Sequence, residues 1–294
     1  MINILTAYKN GLTCAWREKR LLLWLYVFNV LFAYLITLPV SMMLTEALDQ
    51  STAADKILHA FDFTIFTTIM DDFGKGIDLG RMILTLGILY MILSLFFAGG
   101  ILKIFIERNK FNLIDFFTGC ATYFYRFLRL FLISFLFVAA ALLIYLLISG
   151  FIGLLTDNSA TERLPMILFS LNLLIFGFIL ATINMLFDYA KIMTILYDLP
   201  GMIKAVEKAS MFILMNLRKT IGLYLFYLMT AIILMMCYLY VESFISVTGW
   251  LTLVIFIFWA QLFMISRIWI RLSFFAGQYS FYFYANETLP VITK

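Results

Sequence analysis

Six stretches of about 20 or more mostly apolar residues leave this chain few folds to choose from. They begin near Leu21, Met82, Leu130, Leu164, Ile221 and Trp250. At ~1.5 Å per helical residue, each is long enough to cross a hydrocarbon core about 30 Å thick. The 294 residues are 64% hydrophobic and 13% charged, with a mean hydropathy of +1.02, more apolar surface than a water-soluble fold of this length hides. The sequence therefore predicts an all-α polytopic membrane protein, a single domain of six transmembrane helices over about 21–44, 82–106, 130–155, 164–187, 221–242 and 250–272. An outer segment, 45–80, joins the first two spans.

Charge tests this assignment independently of hydropathy. Of 21 basic residues, 17 fall in the N-terminus, the second and fourth connections, the tail and the flanking span ends. The other side carries only Lys56, Lys75, Arg81 and Arg163 against ten acids, among them Asp49, Asp55, Asp62, Asp71 and Asp72. By the positive-inside rule both termini are expected to be cytoplasmic. The net charge of +4 is then a sum of about +10 inside and −6 outside, so it reports orientation and not affinity for nucleic acid. Arg17, Lys19 and Arg20 before an apolar run invite a signal-peptide reading. The run from Leu21 to Leu44 exceeds the usual apolar core of about 7–15 residues and lacks a clean small-residue cleavage site, which predicts a retained span.

Three segments are too polar to cross a bilayer and too apolar for open solvent: Ile2 to Glu18, Asn112 to Arg129 and Gly201 to Lys219. Each precedes an odd-numbered span on the inner side. Lys204, Lys208 and Arg218 alternate with Ile203, Val206, Met211 and Leu214 at helical spacing, the pattern of an amphipathic helix lying in the membrane interface. Pro200-Gly201 supplies a turn before the third segment, and Pro165 fits the first turn of span four. Cys14-Ala15 with Arg20 matches Cys120-Ala121 with Arg126 at the same offset, a hint that one interfacial helix plus one two-span hairpin recurs three times. The outer segment holds Leu58, Phe61, Phe63, Ile65, Phe66, Ile69 and Phe73, too many apolar residues for a solvated loop. It is expected to pack as a cap over the outer face, with a gating lid as the sharper alternative.

Little in the chain has the spacing of chemistry. His59 is the one histidine, so no metal ligand set forms, and no cofactor motif is present. Cys14, Cys120 and Cys237 are far apart and read as packing residues. The triplet Asn286-Glu287-Thr288 is placed inside and is no glycosylation site. Asn29, Asn172, Asn184 and Gln261 lie within spans, where a polar side chain is costly and turns inward to bond another helix. Small residues four apart, Ser94 with Ala98 and Ser149 with Gly153, predict close helix contacts.

The best candidate site sits at the inner ends of spans four and six. Asn184, Asp188 and Lys191 share one helix face, and Arg267, Arg271 and Gln278 share a face of the other helix. The expected arrangement pairs Asp188 with Arg267 or Arg271. The leftover arginine donors are then available to a lipid phosphate.

The stretch Asp188-Tyr189-Ala190-Lys191-Ile192, followed by Lys204-Ala205 and by Asn216-Leu217-Arg218-Lys219 before Leu223-Tyr224, resembles six-span bacterial membrane proteins of uncharacterised activity. These are similar in layout to the membrane domain attached to some glycerophosphodiester phosphodiesterases. The resemblance covers most of the chain by span layout and one region by residues. The catalytic phosphodiesterase domain has no counterpart here, so the resemblance implies a bacterial inner-membrane setting and nothing enzymatic. The leading expectation is a non-enzymatic transport or lipid-handling component whose partners are membrane lipids, anionic ones included. A noncatalytic scaffold for a cytoplasmic or membrane protein is the alternative, and an intramembrane enzyme comes third. The lack of a mid-bilayer carboxylate pathway argues against a proton-coupled pump.

Overall fold

A computed structural model describes residues 4–48, 77–107, 111–156, 163–245 and 249–287. All regular structure in them is helical: α1 (Ile4–Arg17), α2 (Lys19–Leu48), α3 (Ile77–Glu107), α4 (Leu113–Thr156), α5 (Arg163–Leu196), α6 (Met202–Met215), α7 (Leu217–Glu242) and α8 (Trp250–Glu287). Six of these, α2, α3, α4, α5, α7 and α8, are long and apolar enough to cross a membrane. The protein is an all-α polytopic membrane protein. Its spans leave large apolar side chains uncovered, such as Leu147 at 69% and Leu154 at 79% exposure, and such a surface is stable only against lipid. Of the expected outer segment, 45–80, residues 49–76 with His59 lie outside the described residues, and the two ends belong to α2 and α3.

The chain groups into two compact units, Lys19–Leu95 and Met1–Glu18 with Phe96–Lys294. In the smaller unit Asn29 bridges two spans: its Nδ2 donates to the Leu25 carbonyl at 2.7 Å, and its Oδ1 accepts the Tyr90 hydroxyl at 2.9 Å. Phe32 packs on the Tyr90 ring at 5.3 Å. In the larger unit Asn172 of α5 donates to Ser149 Oγ of α4 at 2.8 Å and to the Tyr145 carbonyl at 3.3 Å. Both asparagines thus act as the interhelical links that the sequence predicts.

Helix boundaries follow local chemistry. Asn112 caps α4: its carbonyl accepts the Phe116 N–H at 2.9 Å and its side chain accepts that of Ile114 at 3.3 Å. At the end of α5, Asp198 adopts φ +46°, while the Leu199 N–H reaches the Thr194 carbonyl and the Asp198 N–H reaches that of Ile195. This is a Schellman closure with aspartate in the usual glycine position, followed by Pro200. Asp198 also pairs with Arg126 of α4.

The second pre-span segment differs from expectation. Asn112 to Arg129 is not a separate element, because α4 runs unbroken for 44 residues through the expected boundary. No glycine or proline lies between Cys120 and Ser149, so nothing interrupts the hydrogen-bond ladder. At ~1.5 Å per residue the helix is about twice as long as the hydrocarbon is thick.

Within the larger unit one packing relation recurs. The element before an odd-numbered span lies against the end of an even-numbered one: α1 on α8, the start of α4 on α3, and α6 on α5. Close approach depends on glycine in the first two. A Cβ on Gly100 would lie 2.6 Å from both the Phe116 carbonyl and Cys120 Sγ. A Cβ on Gly11 would lie 2.5 Å from the Ser273 carbonyl and 2.9 Å from Gly277 Cα. The expected close contact at Gly153 is absent among the described residues: none of their atoms outside its own helix comes within 4 Å of a Cβ built there.

Candidate functional site

Asp188 is 6% exposed, and burying a carboxylate in a membrane protein demands partners. It has them. Lys191, one turn on, donates to Oδ1 at 3.1 Å, and the Tyr224 hydroxyl of α7 donates to Oδ2 at 2.6 Å. Gln278 of α8, fully buried, donates through Nε2 to the same tyrosine oxygen at 3.2 Å. Three helices are tied by one carboxylate and one phenol.

This corrects the expected pairing of Asp188 with Arg267 or Arg271. Neither arginine forms an ion pair among the described residues, and both are exposed. The Arg267 guanidinium instead lies 5.9 Å from the Phe263 ring centre. Gln278 shares their helix face but not their environment, because α8 has no fully buried residue as far as Arg271 and is largely buried from Leu272 onward, where α1 and α7 pack. Asn184 is also exposed. The structure therefore brings Asp188, Lys191 and Gln278 together and leaves Asn184, Arg267 and Arg271 outside the cluster.

One turn along α7 from Tyr224, the Tyr227 hydroxyl enters the crossing of α1 and α8. It donates to the Ser273 carbonyl at 2.8 Å, with the Tyr8 carbonyl at 3.3 Å. Tyr8 in turn packs on the Tyr227 ring at 4.9 Å and hydrogen-bonds Thr230 at 2.7 Å. Phe274 stands edge-on to both Tyr224 and Tyr227. Sequence reasoning missed these two tyrosines. Their three-residue spacing near the N-terminal end of α7 was the available signal, diluted among 16 tyrosines.

A second site was not visible in the sequence. Where α1, the end of α3 and the end of α8 meet, a cleft of about 310 Å³ is lined by Asn10, Cys14, Arg17, Glu18, Tyr279 and Ser280, among others. Its size is at the lower end for small-ligand sites. Hydrogen bonds fix its walls: Asn10 donates to the Tyr284 hydroxyl at 3.2 Å, Tyr279 to the Ile106 carbonyl at 3.2 Å, and the Phe111 N–H to Glu18 Oε2 at 3.1 Å. On the other side of Thr13 and Arg17 lies an almost wholly apolar groove of about 420 Å³ between Leu12, Trp16 and Trp269. The two indole rings stand edge to face at 6.2 Å. A cleft of mixed polar and apolar lining and an apolar groove thus share Thr13 and Arg17 as their common wall. No protein-family model, curated protein or solved structure matches this chain.

Proposed function

We propose that this protein is a non-enzymatic lipid-handling component of a bacterial inner membrane, with both termini in the cytoplasm. The observation that carries the reading is the wall shared by a cleft that holds charged and polar groups and an apolar groove, since a phospholipid is itself a polar head joined to an apolar chain. Position supports it as well. Arg17 and Glu18 immediately precede the first span, and Phe105 lies near the end of α3, so the cleft belongs at the membrane–water boundary. The excess of basic residues on that side supports the cytoplasmic leaflet. The resemblance of the region from Asp188 to Tyr224 to six-span bacterial membrane proteins supports the inner membrane.

The uncovered residues of α6 fit the same setting. Ile203, Met211, Leu214 and Met215 are exposed beside Lys204 and Lys208, a mixture suited to headgroups above and hydrocarbon below. Filling the shared wall tests the function. Thr13 is exposed, so Thr13→Trp changes the site without entering the core. Native mass spectrometry of the purified wild type is expected to show phospholipid that survives detergent washing, and Thr13→Trp is expected to lose it at an unchanged melting temperature. Equal retention by the two proteins contradicts the reading.

A further inference from the structure

The charges inside the cleft say which kind of headgroup it takes. Among the described residues that line it, Arg17 and Glu18 carry formal charge, and they are of opposite sign. Neither is spent on the other or on another ion pair: among the described residues the ion pairs are Lys103 with Glu107, Arg126 with Asp198, and Lys191 with Asp188. Glu18 uses Oε2 to accept the Phe111 N–H and keeps Oε1 for another donor. Asn10 uses Nδ2 toward Tyr284, so its Oδ1 acceptor remains, and Ser280 adds a hydroxyl. The cleft therefore offers a forked cationic donor together with carboxylate and amide acceptors.

A purely anionic headgroup satisfies Arg17 and meets repulsion from Glu18. A headgroup with a phosphate and a primary ammonium satisfies both, because the planar guanidinium matches phosphate oxygens and the ammonium supplies three N–H donors to carboxylate and carbonyl oxygens. A quaternary ammonium has no N–H to give. Resting on the lipid-handling reading above, we propose that the cleft recognises the phosphoethanolamine headgroup of a zwitterionic phospholipid, with Arg17 on the phosphate, Glu18 and Asn10 on the ammonium, and an acyl chain lying along the groove that Leu12, Trp16 and Trp269 line. The cleft takes only the headgroup, and the adjoining groove takes the upper part of the chain.

The test uses the full chain, purified and delipidated, then offered equimolar phosphatidylethanolamine, phosphatidylglycerol and phosphatidylcholine with identical chains and read by native mass spectrometry. The wild type is expected to retain phosphatidylethanolamine over both others. Arg17→Gln is expected to cut that retention roughly tenfold or more, the scale of a lost charged hydrogen bond. Glu18→Gln preserves an acceptor for the Phe111 N–H, so it is expected to keep binding phospholipid while losing the preference for phosphatidylethanolamine over phosphatidylglycerol. Arg17→Lys, which keeps the charge and loses the fork, reads the same contact if Arg17→Gln does not fold. An unchanged preference in Glu18→Gln, or equal retention of all three lipids, overturns the headgroup assignment and leaves lipid handling standing. No retained phospholipid in the wild type overturns both.

Discussion

Tyr227 places a hydroxyl where two helices come closest, and that fixes what its neighbours can be. The three atoms nearest a Cβ on Gly277 all belong to the Tyr227 side chain, two ring carbons at 3.0 Å and the hydroxyl nearer still. Gly277→Ala is therefore expected to cost about 1–3 kcal/mol of stability, as overpacking does. Removing the hydroxyl makes room, so Tyr227→Phe combined with Gly277→Ala is expected to cost less than the two single changes added, measured as a double-mutant cycle in detergent. Gly11→Ala serves as the contrast. Its Cβ also strikes the Ser273 carbonyl and Gly277 Cα, backbone atoms that Tyr227→Phe does not move, and no rescue is expected. At the buried cluster, Asp188→Asn weakens the contacts to Lys191 and Tyr224. Breaking a buried pair costs up to about 3–5 kcal/mol, here discounted because the Lys191 side chain is 20% exposed. Arg267→Gln and Arg271→Gln are expected to leave the detergent melting temperature unchanged. A loss there as large as for Asp188→Asn contradicts the cluster as described.

The continuity of α4 marks where local sequence overrode the expected layout. Charged residues at Arg126 and Arg129 suggest a boundary between an interfacial helix and a span, but charge alone does not break a helix that lacks glycine and proline. The basic side chains have local partners instead: Arg126 pairs with Asp198, and the Arg129 guanidinium lies 4.2 Å from the Tyr125 ring centre. At Pro200-Gly201, by contrast, the sequence does carry a breaker, and α6 begins directly after it. Thr122, Tyr125, Arg129, Leu132 and Leu136 are all exposed at alternating three- and four-residue steps. Spin labels along residues 120–138 are expected to show one uninterrupted helical phase of accessibility. A phase slip near 129–131 contradicts the single helix.

The six spans were legible because crossing hydrocarbon demands about 20 apolar residues in a row, a requirement visible without knowing any neighbour. The polar sites were legible only in part, for the same physical reason in reverse. Asp188 announced itself as a charge near a span end, but choosing Lys191 and Tyr224 over Arg267 requires the rotation of α5 against α7 and α8. The cleft needs still more, since residues 10–18, 104–105 and 276–284 meet only once α1 lies on α8. Its thiol offers a reporter for both sidedness and occupancy. Cys14 lines the cleft and is exposed, Cys120 is buried, and Cys237→Ser removes the other exposed sulfur. The measurement is the rate at which a membrane-impermeant maleimide labels Cys14 in that variant, in inverted and in right-side-out membrane vesicles, and after phospholipid is returned to delipidated protein. A phospholipid cleft on the cytoplasmic face predicts labelling in inverted vesicles alone, slowed by restored lipid. Labelling from right-side-out vesicles, or a rate indifferent to lipid, contradicts it.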